Sequence, residues 1–101
     1  MDKDNQSDIH LIEQVRKGDM SAFQLLVEKH QDNIFHLCLR YLGNRQDAEE
    51  IAQDVFMKFY EKINSWKPKA KLSTYLYRIG VNLSLNRIRD RKRQRLAPIN
   101  L

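Results

Sequence analysis

Five side chains near the C-terminal end of the sequence, Tyr75, Arg78, Asn82, Asn86 and Arg89, recur at spacings of three and four residues. On a helix such residues share one face. Together they offer an aromatic plane for stacking, two carboxamides that can pair with base edges, and guanidinium groups for phosphates or bases. Lys67, Lys69 and Lys71 precede this run, and Arg87, Arg91, Lys92, Arg93 and Arg95 lie along or after its far half. Cations around a neutral, hydrogen-bonding, aromatic centre suit a single strand with exposed bases: the backbone needs charge, the bases need rings and amides. Taken singly, Tyr75 or Asn82 reads as structural; only the set as a whole points to nucleic acid.

A second group is acidic. Asp47, Glu50 and Asp54 follow i, i+3, i+7, with Gln53 beside them and Glu49 at the flank. On composition alone these are ordinary helix-start carboxylates, favoured by the dipole and by solubility. No His, Ser or Cys lies within helical reach for catalysis, and three carboxylates on one helix edge do not enclose an ion. His36 and Cys38 are two residues apart and cannot share a helix face, which argues against zinc. Cys38 and His30 sit on or near an apolar stripe and read as packed side chains. With no phosphate-cradling glycine loop and no catalytic motif, the expectation is no enzyme, no cofactor and no metal.

Four helical segments must position these groups. A short first helix is expected from about Ile9 to Lys17, on Ile9, Ile12 and Val15, with Ser7 or Asp8 as its cap. Gly18 stops it and Asp19 caps a second helix, Met20 to Leu42, whose stripe is Phe23, Leu26, Val27, Ile34, Leu37, Cys38 and Tyr41. Gly43 suits a left-handed C-terminal position, and Asn44 caps a third helix carrying Ala48, Ile51, Ala52, Val55, Phe56, Phe59 and Ile63. That helix is expected to reach about Trp66, where Lys67 and Pro68 end it. Lys67 to Leu72 reads as a loop, with Ser73 or Thr74 capping a fourth helix on Leu76, Ile79 and Leu83. Gly80 allows close approach there, and helicity can continue through the arginines before Pro98. The fold class predicted is all-α, a compact four-helix domain with short loops between neighbours.

Charge divides this small domain. From Met1 to Trp66 there are 8 Lys/Arg against 12 Asp/Glu, whereas Lys67 to Leu101 holds 10 against 1. The net +5 therefore conceals an acidic part and a strongly basic end, a distribution that points to a polyanionic partner. With 101 residues there is room for one core,. A single cysteine excludes an internal disulfide and suits a reducing compartment,. The polar, acidic N-terminus has no signal-peptide pattern, and no apolar run approaches the roughly 20 residues of a membrane span. A cytoplasmic protein without membrane insertion is expected.

Three stretches in this order are specific in combination: GDMSAF at Gly18 to Phe23, RYLGNRQDAEEIAQDVF at Arg40 to Phe56, and STYLYRIGVN at Ser73 to Asn82. From about Ile9 to Arg95 the chain resembles region 2 of bacterial sigma factors of the extracytoplasmic-function group. The resemblance implies a transcription initiation factor domain that binds the β′ clamp helices of RNA polymerase core and recognises and melts the −10 promoter element. Polymerase contact would fall on Asp47, Glu50, Gln53 and Asp54. Capture of non-template bases would fall on the loop with Lys67, Lys69 and Lys71, and on Ser73, Thr74, Tyr75, Arg78, Asn82, Asn86 and Arg89. The family usually has Trp where this chain has Tyr75, so a smaller ring meets the duplex. The family also carries a C-terminal helix-turn-helix domain, so residues 1–95 are expected to be the region 2 domain and 96–101 the start of a linker. Two alternatives stay open: a generic helical nucleic-acid module, and an interaction module held by an anti-sigma factor, a common partner in this group.

Overall fold

Four helices, α1 (Lys3–Arg16), α2 (Met20–Leu42), α3 (Arg45–Lys62) and α4 (Leu72–Leu96), make up the computed structural model, which describes residues 3–96. The fold class is all-α, as the sequence predicts. Residues 97–101, which include most of the expected linker, lie outside the described residues, and Leu96 belongs to α4.

The caps of α2 and α3 follow from local sequence. Asp19 is extended, and its Oδ1 accepts from the amides of Ser21 at 3.0 Å and Ala22 at 3.4 Å. Gly43 takes φ 65°, a left-handed conformation that lets its amide reach Leu39 O at 2.8 Å,. Asn44 Oδ1 accepts from Asp47 N at 3.0 Å and starts α3,.

Three boundaries differ from expectation, each because a distant residue supplies a partner. First, α1 begins at Lys3, so Ser7 and Asp8 lie inside it and neither is its cap. Asp8 is buried and holds Lys29 Nζ at 2.8 Å and His30 Nε2 at 2.9 Å, both on α2. Second, α3 stops at Lys62 and the chain turns through 63–65. The carbonyls exposed there are taken by Arg16 of α1, whose Nε donates to Ile63 O at 2.8 Å and whose Nη2 donates to Trp66 O. Third, α4 begins at Leu72, so Ser73 and Thr74 are helical rather than caps; the Leu72 amide donates to Asn5 Oδ1 at 3.1 Å.

α2 packs against the other three helices. Ile12, Leu26, Ile34, Cys38, Val55, Phe59, Leu72 and Leu76 are fully buried. All seven expected apolar positions of α3 are buried, whereas Phe23 and Val27 on α2 are half-buried and Tyr41 is 42% exposed. A Cβ on Gly80 would lie 3.0 Å from Leu37 Cδ2, so the glycine sets the α2–α4 approach. Burial pushes the Cys38 thiol above its ordinary pKa, as befits a core cysteine,.

Candidate nucleic-acid interface

α4 brings together most of the face expected from its spacing. Arg78, Asn82, Asn86 and Arg89 are all exposed on one side of the helix. Arg89 Nη2 donates to Asn86 Oδ1 at 2.7 Å, which orients the Asn86 amide and leaves its NH2 pointing elsewhere,. Tyr75 is held differently. Its ring is half-buried, 6.1 Å from Phe59 and 5.6 Å from Trp66, in a three-ring cluster that carries the end of the 63–71 loop. One part of the ring is structural and the rest borders the loop, a geometry that fixes any stacking surface it offers.

Lys67, Lys69 and Lys71 are exposed in that loop, and Ser73 and Thr74 are exposed in the first turn of α4. A tight turn pairs Lys69 N with Lys67 O at 2.8 Å. The loop is anchored on both sides, by Arg16 on Ile63 and Trp66 and by Asn5 on Leu72. Beside it lies a polar cavity of about 370 Å³, where Lys71 and Ser73 meet Asn5, Asp8, Lys29, His30 and Asn33. Burial alone would raise the Asp8 carboxyl, but hydrogen bonds from His30 and Lys29 outweigh it and hold Asp8 below the usual carboxylate range,. His30 is packed as expected, but its partner Asp8 sits 22 residues away, with no periodic signal in the sequence linking them.

The acidic edge of α3 divides in two. Glu50, Gln53 and Asp54 are exposed, while Asp47 is only 6% exposed. Asp47 faces α4: Arg91 Nη2 reaches Oδ1 at 2.7 Å, Arg91 Nη1 pairs with Oδ2, and Arg87 Nη1 reaches Oδ1 at 3.2 Å. Both Arg87 terminal nitrogens also lie 3.4 Å from Glu50 Oε2. The Arg91 hydrogen bond, which outweighs partial desolvation, holds Asp47 below the usual carboxylate range. Arg87 and Arg91, counted among the flanking cations in the sequence, are therefore paired with carboxylates of α3, Arg87 half-buried and Arg91 exposed. On the other side of α3 a groove of about 550 Å³ runs along α2, lined by Val27, Phe35, Ala52 and Phe56, with the exposed Met57 at its edge. Its rim is polar, with Gln31, Asp32, Glu49 and Gln53, and Arg45 lies over the Phe35 ring at 5.1 Å.

Among the described residues no group of His, Cys, Asp and Glu is placed to hold a metal ion, and no helix is long and apolar enough to cross a membrane.

Comparison with known proteins gives a consistent answer. Residues 26–94 match the family described as sigma-70 region 2. The chain is 48% identical over 81 residues to the ECF RNA polymerase sigma factor SigW of Bacillus subtilis, covering 80% of this chain and 43% of that protein. It is 36% identical over 89 residues to the RNA polymerase sigma-H factor of Pseudomonas aeruginosa, covering 88% and 46%. The chain thus spans less than half the length of these relatives. Among solved structures it is similar to an engineered region 2 of sigmaE in complex with GTAAAA, with TM-score 0.79 and 36% identity over 97% of this chain and 100% of that one.

Proposed function

The chain belongs to the sigma-70 region 2 family, as the region 2 domain of an extracytoplasmic-function sigma factor, and from that premise we propose that it captures non-template bases of the −10 promoter element while joined to RNA polymerase core. The observation that carries the reading is the exposed row Arg78, Asn82, Asn86 and Arg89 on α4, continuous with a loop bearing Lys67, Lys69 and Lys71. The engineered sigmaE region 2 that resembles this chain throughout is itself in complex with GTAAAA.

The chemistry follows in steps. Lysines of the loop and outward cations of α4 hold the sugar-phosphate backbone, and most of the affinity is therefore salt-sensitive. The Asn82 side chain makes no hydrogen bond among the described residues, so its carboxamide is free to meet a base edge; Asn86, oriented by Arg89, presents its NH2,. A flipped base is received by the loop, with Ser73 and Thr74 at the helix start and the outer part of Tyr75 beside it. Unstacking a base costs a few kcal/mol and stacking on an aromatic surface returns about 1–3 kcal/mol per base. The terms nearly balance, so the domain holds bases already open and does not by itself melt duplex efficiently. Melting belongs to the complex with polymerase, which keeps the bubble open.

Polymerase contact falls on α3. Glu50, Gln53 and Asp54 expose a carboxylate-rich edge, and the adjoining α2–α3 groove gives an apolar floor with a polar rim. That combination fits basic, amphipathic helices such as the β′ clamp helices. Asp47 supports the edge from behind rather than from the surface. The same exposed faces are where an anti-sigma factor would compete, and the site of action is the bacterial cytoplasm, with the polymerase.

The test is paired. Fluorescence anisotropy should give tighter binding to a single-stranded −10-like oligonucleotide than to the same sequence as duplex, and capture of core polymerase should fall at least tenfold for Glu50→Lys/Asp54→Lys. Equal affinity for strand and duplex, or undiminished capture, would remove the corresponding half of the proposal.

A further inference from the structure

The cations of α4 do not all face solvent alike. Arg89, Arg91, Lys92, Arg93 and Arg95 are exposed and Arg87 is half-buried, but Arg87 and Arg91, one helical turn apart, both converge on Asp47. Arg91 Nη2 donates to Asp47 Oδ1 at 2.7 Å while its Nη1 lies in charge contact with Oδ2, which accepts no hydrogen bond,. Arg87 divides itself between Asp47 and Glu50. Asp47 is fixed in place: its side chain is 9% exposed and its amide is bound by Asn44 Oδ1. It also sits in the first turn of α3, where the helix dipole favours a charged carboxylate,. No residue of α4 beyond Ser84 is buried, so this clasp is the polar tie between the far half of the helix and the bundle among the described residues.

We infer that Asp47 is a positioning residue that, by pairing with Arg87 and Arg91, withholds them from phosphate, so that the phosphate contacts of α4 fall to its other cations. The inference rests on the reading of α4 as the nucleic-acid face. A phosphate that takes these arginines through the same terminal nitrogens competes with a carboxylate already bound there and already neutralising their charge,. Glu50 makes the clasp responsive, because it stands on the exposed α3 edge and also holds Arg87. A cationic partner that engages Glu50 removes one of the two carboxylates on Arg87. Occupation of the α3 edge and release of Arg87 to phosphate are then linked, and the linkage is reciprocal.

The test uses a labelled dT20 strand, whose binding over a salt series counts phosphate contacts whatever the base sequence and is therefore independent of −10 recognition. Asp47→Asn should tighten binding at low salt and steepen the slope of log K against log salt by up to about 1.4, because each phosphate neutralised on a single strand contributes about 0.7. Arg87→Gln/Arg91→Gln should leave the wild-type slope unchanged and should cancel the steepening when added to Asp47→Asn. An unchanged or shallower slope for Asp47→Asn that keeps wild-type circular dichroism overturns the inference. If that variant fails to fold, the arginine pair decides in the wild-type background. A slope reduced as much as by Arg89→Gln/Arg95→Gln means that Arg87 and Arg91 were on phosphate all along and overturns it; a slope unchanged beside that control supports it. Absence of any salt-sensitive binding by the wild type would sink the nucleic-acid reading itself, and this inference with it.

Discussion

Arg16→Met removes the tie between α1 and the loop that carries Lys67, Lys69 and Lys71. The guanidinium donates to Ile63 O at 2.8 Å and to Trp66 O, two carbonyls left over where α3 stops at Lys62. Hydrogen bonds from a charged donor are worth about 1.5–3 kcal/mol each. Both bonds are only part-buried, so water replaces some of what is lost, and methionine keeps much of the apolar stem; a net loss of about 2 kcal/mol is expected. With a urea m-value of about 1–1.5 kcal/mol/M for a domain of this size, the midpoint should fall by about 1.5 M. Hydrogen exchange should localise the effect, accelerating amides in 63–71 ahead of those in the middle of α2. A midpoint shift below about 0.3 M with unchanged loop exchange would refute the claim that Arg16 holds the loop.

The other predictions are shorter. The Asp8 carboxyl has a folded pKa below its ordinary 3.8, so its contribution to stability is present in full above the unfolded value and is lost as pH falls through the folded one,. Urea midpoints measured between pH 5 and pH 2 should therefore drop more steeply for the wild type than for Asp8→Asn, and parallel curves would contradict the cluster's role. Leu26→Ala empties a site that is 1% exposed and should cost about 3 kcal/mol by denaturant titration. Gly80→Leu should destabilise strongly by thermal melting, since even a Cβ there meets Leu37 at 3.0 Å. Asn82→Ala should lower affinity for a −10-like single strand while leaving the salt slope of binding unchanged, because it removes a base contact and no phosphate contact.

The parts of the fold visible in the sequence are those written locally. Asp19, Gly43 and Asn44 cap α2 and α3 as their types and positions predict, because caps act within three or four residues of themselves,. The apolar stripe of α3 was legible in full, since 3.6-residue periodicity alone defines a buried face,. The misplaced boundaries share one cause. Asn5 on Leu72, Arg16 on Ile63 and Trp66, and Asp8 on Lys29 and His30 join residues 21 to 67 positions apart. No spacing rule connects such pairs, and each moves a helix end or buries a charge. The candidate site shows the same division. Helical spacing correctly grouped Arg78, Asn82, Asn86 and Arg89 on one exposed face, but could not tell that Tyr75 leans into Phe59 and Trp66. Nor could it tell that the i, i+3, i+7 row on α3 has its first member turned toward α4, because Asp47 owes its burial to Arg87 and Arg91 some forty residues later.

The most direct measurement varies each base of a −10-like single strand in turn and titrates every oligonucleotide at low and at raised salt. The account predicts a loss of at least tenfold for changes at one or two positions, persisting at raised salt, and a smaller loss at those positions for Asn82→Ala. Equal affinities across all base changes and scrambled strands, at both salt concentrations, would reduce the α4 face to a site of charge attraction and contradict the proposed base recognition.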